Sequence, residues 1–164
     1  MIGATHLADT RFWYPGALAS AGIERMAELG SQSPLDTEIA AAQASGEAET
    51  LFRGGGLSPS PGFETVEFDI TSAFPYVTLV SMVAPSPDWF VGVSGLLLIA
   101  NGEWRNEVVV ELSPWDAGTG SGATYGSPNA DMVPAAPIAL LQTAPVVVNG
   151  TVPAFGRFIF RRLP

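Results

Sequence analysis

The chain has 164 residues, 47 % of them hydrophobic and 14 % charged, enough to bury the core of one domain and too apolar for a disordered chain. Its formal net charge is −9 and every cation is an arginine, so it repels phosphate backbones and anionic lipid and attracts divalent cations. It contains no cysteine, which excludes thiol catalysis, thiolate zinc and disulfides. Met1 leads directly into Gly3 and His6 without a basic and then apolar leader, so no signal peptide is expected here. The first third then reads as helical. Ser20 to Leu29 sets Ile23, Met26, Ala27 and Gly30 on one face, with Gly30 as the stop. Ser33-Pro34-Leu35-Asp36 has the form of a helix start, and that second helix gives out near Ser45-Gly46. Gly54 to Gly62 reads as a flexible loop.

Beyond that loop the period changes from helical to two. Val66, Phe68 and Ile70 alternate with Glu67, Asp69 and Thr71, which predicts a strand with one wet face. Tyr76 to Ala84 is more continuously apolar and predicts a central strand. Val91 to Ile99, Glu107 to Leu112, Ile138 to Leu141 and Gly156 to Arg162 complete the strand set. The longest apolar run, Val91 to Ala100, is broken by Gly92, Ser94 and Gly95, so no membrane span is expected. Short strands separated by Pro, Gly, Asn and Asp predict an all-β, antiparallel sandwich with two short helices near the N-terminus. There is no internal repeat, and residues 1–164 read as a single domain.

Three acidic residues fall at strand ends or strand-to-loop junctions. Asp69 is on the wet face of the first predicted strand, Asp88 in the turn Pro85-Ser86-Pro87-Asp88-Trp89, and Asp116 in Pro114-Trp115-Asp116-Ala117-Gly118. Loops gather at the two ends of a sandwich, where separate carboxylates can meet, and calcium takes several hard oxygen ligands with tolerant geometry. The alternative is that each Asp bonds local amides to shape its turn. His6, the single histidine, is expected at the surface or as a cap, since no nucleophile elbow accompanies it. Gly118 to Gly122 lacks the following Lys-Ser/Thr of a phosphate loop, and one His without Cys argues against a transition-metal site. Asp88 and Asp116 would serve a hydrolase only as a pair with separated pKa values. Trp89 and Trp115 adjoin the two loop aspartates and would suit stacking on a sugar, or packing beneath the loops.

The stretch from Val80 to Val93, with Pro85-Ser86-Pro87-Asp88-Trp89-Phe90 at its centre, resembles the core signature of the spondin domain family. Pro114-Trp115-Asp116-Ala117-Gly118-Thr119, then Ser121-Gly122 and Ser127-Pro128-Asn129, are similar to its second signature in the same order. Gly16 to Gly30 is similar to the family's helical stretch, with His6 where a His is frequent. The resemblance implies a C2-like β-sandwich that acts as a non-catalytic extracellular recognition and adhesion module. It also implies a calcium ion held by Asp69, Asp88 and Asp116, an unidentified protein or glycan partner, and no dealings with nucleic acid or the membrane interior. The family usually carries Asp where this chain has Gly120, and a further strand ahead of the His, so this chain is expected to lack that first strand. Absence of Lys and Cys suits a bacterial secreted, surface or periplasmic protein, with the export signal absent from this chain.

Overall fold

The computed structural model describes residues 1–164. The two expected helices form, α1 at Ala21–Leu29 and α2 at Leu35–Ala44. The Ser20 hydroxyl caps α1 by accepting the Ile23 amide at 3.2 Å, and Gly30 ends it at φ +66°, a conformation open to glycine without penalty. Ser33 does not cap α2; Pro34 holds that position with no side-chain cap. Instead Glu38 of α2 reaches across to the start of α1, where its carboxylate takes the Gly22 amide and the Ser20 hydroxyl, both at 2.7 Å. A carboxylate at the positive end of a helix is favourable, so this pair also locks the two helices together.

Two strands flank the helices where none was expected: β1 (Ile2–His6) and β2 (Ala48–Arg53). All five residues of β1 are buried, because β1 runs between two other strands and is covered on both faces, so no alternation marks it in the sequence. The remaining strands are β3 (Tyr76–Met82), β4 (Trp89–Leu97), β5 (Ile99–Ala100), β6 (Glu103–Trp104), β7 (Glu107–Glu111), β8 (Trp115–Asp116), β9 (Ala139–Leu140) and β10 (Arg157–Arg161). The main sheet has the order β2-β1-β3-β4-β8-β9, and every pairing in it is antiparallel.

The sheet separates two apolar cores. On one face Ile2, Ala4, Val80 and Phe90 pack with Trp13, Ile23, Met26, Leu35 and Ile39 under the helices. On the other, Phe52, Val77, Leu79 and Val93 pack with Val108 and Phe160 from the β7–β10 pair. Side chains alternate across a strand, so the run Val77 to Val80 supplies both cores, which is why it reads as continuously apolar. The architecture is the expected β-sandwich with short helices.

Two expectations need correction. The Val66-Phe68-Ile70 alternation is real, with these residues half-buried against the second core and Glu67, Asp69 and Thr71 exposed, yet the segment pairs with no strand. His6 is not at the surface: it is 0 % exposed, because β1 is an interior strand. Its Nδ1 bonds the Leu7 carbonyl at 2.7 Å and its Nε2 the Thr78 hydroxyl at 2.8 Å, and its ring lies against Phe12 and Tyr76. Burial lowers its pKa.

Candidate functional site

The β3–β4 hairpin turns through Val83 to Asp88 at one end of the sheet. The Val83 amide closes it onto the Trp89 carbonyl at 2.8 Å. The Ser86 hydroxyl donates to the Val83 carbonyl and accepts the Trp89 amide, so the Ser-Pro-Asp-Trp sequence builds a rigid turn. That turn drives Asp88 inward, where it is 0 % exposed. One carboxylate oxygen, Oδ2, accepts the Thr119 and Gly120 amides, each at 2.9 Å.

Asp116 reaches the same place from β8. Register sets it opposite Trp89, and the Ala117 amide bonds the Asp88 carbonyl at 3.1 Å. Asp116 Oδ1 takes the Gly118 amide at 2.7 Å. Gly118 sits at φ +74°, and a Cβ there would come 2.1 Å from the Ala136 carbonyl oxygen, so only glycine lets the chain fold back here. Burial, and then the negative charge of Asp88, push Asp116 up to about 6, while the Gly118 amide restrains the rise.

Three buried polar atoms around the two carboxylates have no hydrogen-bond partner: Asp88 Oδ1, Thr119 Oγ1 and the Trp89 indole Nε1. No cationic side chain balances the carboxylates, since the ion pairs of the molecule lie elsewhere, at Arg53–Asp36, Arg157–Glu111 and Arg161–Glu107. A sealed carboxylate with an unmet oxygen, next to a second carboxylate and without a counter-charge, is a costly arrangement for a protein alone. The available acceptors are oxygens, which suit a hard cation such as calcium, and no His or Cys stands with them to favour zinc.

The third expected ligand does not join them. Asp69 is exposed, on a segment that lies beside β2: Phe68 stacks on Phe52 with ring centres 4.0 Å apart, and the Thr71 hydroxyl bonds Glu49 at 2.7 Å. Since β2 stands four strand spacings from β8, the two ends of the expected triad are roughly 19 Å apart across the sheet. No group of three or more His, Cys, Asp or Glu side chains comes together to hold a metal. Thr119 is part of the Pro114–Thr119 signature but not of the expected ligand set, because Asp-Ala-Gly-Thr marks it only by its place three residues after Asp116.

Trp89 offers no platform to a sugar. Trp89 is 1 % exposed, and Trp115 is half-buried with its ring edge-on to Trp13 at 5.4 Å. A hydrolytic pair would need a cleft, but Asp88 is closed off from solvent. Two open depressions of about 480 Å³ lie beside Asn106 to Glu107 and beside Arg11 and Glu38, and neither includes Asp88 or Asp116.

Comparison with known proteins adds an independent line. The sequence model of the Spondin_N family matches residues 1–148. Spondin-2 of Homo sapiens is 35 % identical over 135 residues, covering 82 % of this chain and 41 % of that protein. Spondin-1 of Gallus gallus is 36 % identical over 141 residues, covering 82 % of this chain and 17 % of that protein, and Spondin-1 of Homo sapiens gives the same figures. The chain thus spans less than half the length of the relatives it matches.

Proposed function

This chain belongs to the spondin N-terminal domain family, and from that premise we propose that it is a calcium-dependent, non-catalytic recognition module acting outside the cell. The observation that carries the reading is the unmet Oδ1 of a fully buried Asp88 beside Asp116, whose pKa rises to about 6. Asp88 and Asp116 would hold the ion, helped by backbone carbonyls of the two loops. Bound there, the ion supplies the positive charge that this end of the sandwich lacks. The protein's own part is to bring the β3–β4 turn, β8 and the Gly118–Gly120 loop to one point. Asp69, at the far margin of the sheet, is left out of the ligand set.

A site with two carboxylates belongs to the weak, extracellular class, with a dissociation constant on the order of 0.1–1 mM, and such a site fills only where calcium is millimolar. That supports an extracellular or cell-surface setting. Fixed loops around the ion then present the surface that a protein or glycan partner reads.

Thermal unfolding in 10 mM Ca²⁺ against EGTA, with Mg²⁺ as control, tests the reading. Binding to the folded state alone should add about 1.4–2.7 kcal/mol, or roughly 3–10 °C in a chain of this size. Asp88→Asn should abolish the rise. A wild-type melting temperature that ignores calcium overturns the proposal.

A further inference from the structure

The segment from Glu64 to Thr71 has the side-chain pattern of a strand and none of its backbone bonds. Val66, Phe68 and Ile70 pack against the second core while Glu67, Asp69 and Thr71 face solvent. Side chains fix the segment: Phe68 on Phe52, Thr71 on Glu49, and the Glu64 carboxylate on the Gly55 amide at 3.0 Å. Yet no amide or carbonyl from Glu64 to Ile70 takes part in backbone pairing, either within the strands or among the bonds of the turns and loops. A placed, extended segment with its amides and carbonyls unpaired is a template for one more strand.

Charge selects what can add to it. Glu64, Glu67 and Asp69 lie along the segment, Glu49 is exposed beside it, and the whole chain carries −9. A second copy of the chain is a poor occupant. Antiparallel pairing centred on Phe68 sets Glu67 opposite Asp69 twice, and centring it on Glu67 or Asp69 sets that acid opposite its own copy. Like charges directly opposed across a strand pair are destabilising. An acid row instead favours a strand with cations at alternate positions, and Phe63, 92 % exposed just ahead of the segment, gives its apolar positions a first contact.

We propose that Glu64–Thr71 is a strand-docking edge for an extended basic peptide segment of a partner protein, with Lys or Arg at alternate positions opposite Glu67 and Asp69. Backbone bonds supply the pairing and the acids select the partner. The edge lies beside β2, across the sheet from Asp88 and Asp116, so its use does not depend on calcium.

The probe is a fluorescein-labelled ten-residue peptide alternating Lys and Val, read by anisotropy together with amide hydrogen exchange of the full chain. Binding should slow exchange at alternate amides between Thr65 and Thr71 at least tenfold. A peptide of the same composition interrupted by proline should bind at least tenfold more weakly. Glu67→Lys with Asp69→Lys, at exposed positions that leave the core intact, should shift preference to a Glu/Val peptide. Unchanged exchange at these amides in the peptide-saturated protein overturns the proposal, as does equal binding of the proline-interrupted peptide, which would mark adsorption by charge alone. Protection of the same amides in a dimer formed without peptide overturns it too, because the second copy would then be the occupant.

Discussion

Replacing Asp88 in two ways separates its charge from its shape. In Asp88→Ala the Thr119 and Gly120 amides, both buried and both bonded to Asp88 Oδ2 at 2.9 Å, lose their acceptor. A buried donor left without a partner costs about 1–3 kcal/mol, so this variant should lose roughly 2–5 kcal/mol even in EGTA. Asp88→Asn keeps an oxygen for the two amides and removes a charge that no cation balances. Making two charge-assisted bonds neutral costs about 1 kcal/mol each. Against this stands relief of the repulsion that helps to raise Asp116 to about 6, worth roughly 1 kcal/mol once the partial exposure of Asp116 is discounted. The new amide group, placed where Oδ1 had no partner, can also donate to Asp116. The Asn variant should therefore stay within about 1 kcal/mol of wild type in EGTA, and both variants should lose all response to calcium. Urea denaturation in EGTA and again in 10 mM Ca²⁺ reads the four quantities. Equal losses for Asn and Ala in EGTA would refute the idea that an uncompensated charge sits here, and would leave Asp88 as a turn-shaping residue.

The parts of the fold that were legible in the sequence are those where one face is wet or a cap is explicit. Gly30 and the Ile23-Met26-Ala27 face mark α1, and the strands from Tyr76 onward follow their apolar runs. What escaped was interior or short-range camouflage. Ile2–His6 is buried on both faces and carries Gly3, Thr5 and His6, so neither alternation nor hydropathy reveals a strand. The strand expected over Val66–Thr71 pairs with no neighbour, because alternation reports which side chains meet a core and says nothing of the backbone's neighbours. Asp88 and Asp116 were legible as partners because Ser-Pro-Asp-Trp and Trp-Asp-Ala-Gly are local turn sequences. The position of Asp69 depends on strand order, with β1 and β2 on the far side of β3, which no local pattern encodes.

Calcium affinity should fall as pH falls, because the ion competes with a proton on Asp116: with that pKa raised to about 6, each pH unit below 6 weakens binding about tenfold. The sign for stability in EGTA is opposite. A carboxyl whose folded-state pKa lies above its unfolded one stabilises the fold at low pH and loses that contribution as pH rises through 6. His6, whose pKa burial lowers, takes stability away as pH drops below its unfolded value of 6.5, so affinity measured by calorimetry from pH 5 to 8 is the cleaner readout; a flat profile would remove Asp116 from the ligand set. Gly118→Ala should cost more than about 2 kcal/mol and abolish calcium binding, since its Cβ would meet Ala136 at φ +74°; denaturation and calorimetry on one sample check both effects. Gly120→Asp should do two opposite things at once. A Cβ at Gly120 would stand 3.2 Å from Asp88 Cγ, close enough that a carboxylate there adds a third negative charge to the pair. Without an ion that charge has no counterpart and stability in EGTA should fall. With calcium it becomes a further oxygen ligand, and added ligand charge is what tightens such sites, so affinity should rise at least tenfold. Lower stability in EGTA together with unchanged calcium affinity would show that the space beside Asp88 is not where the ion binds.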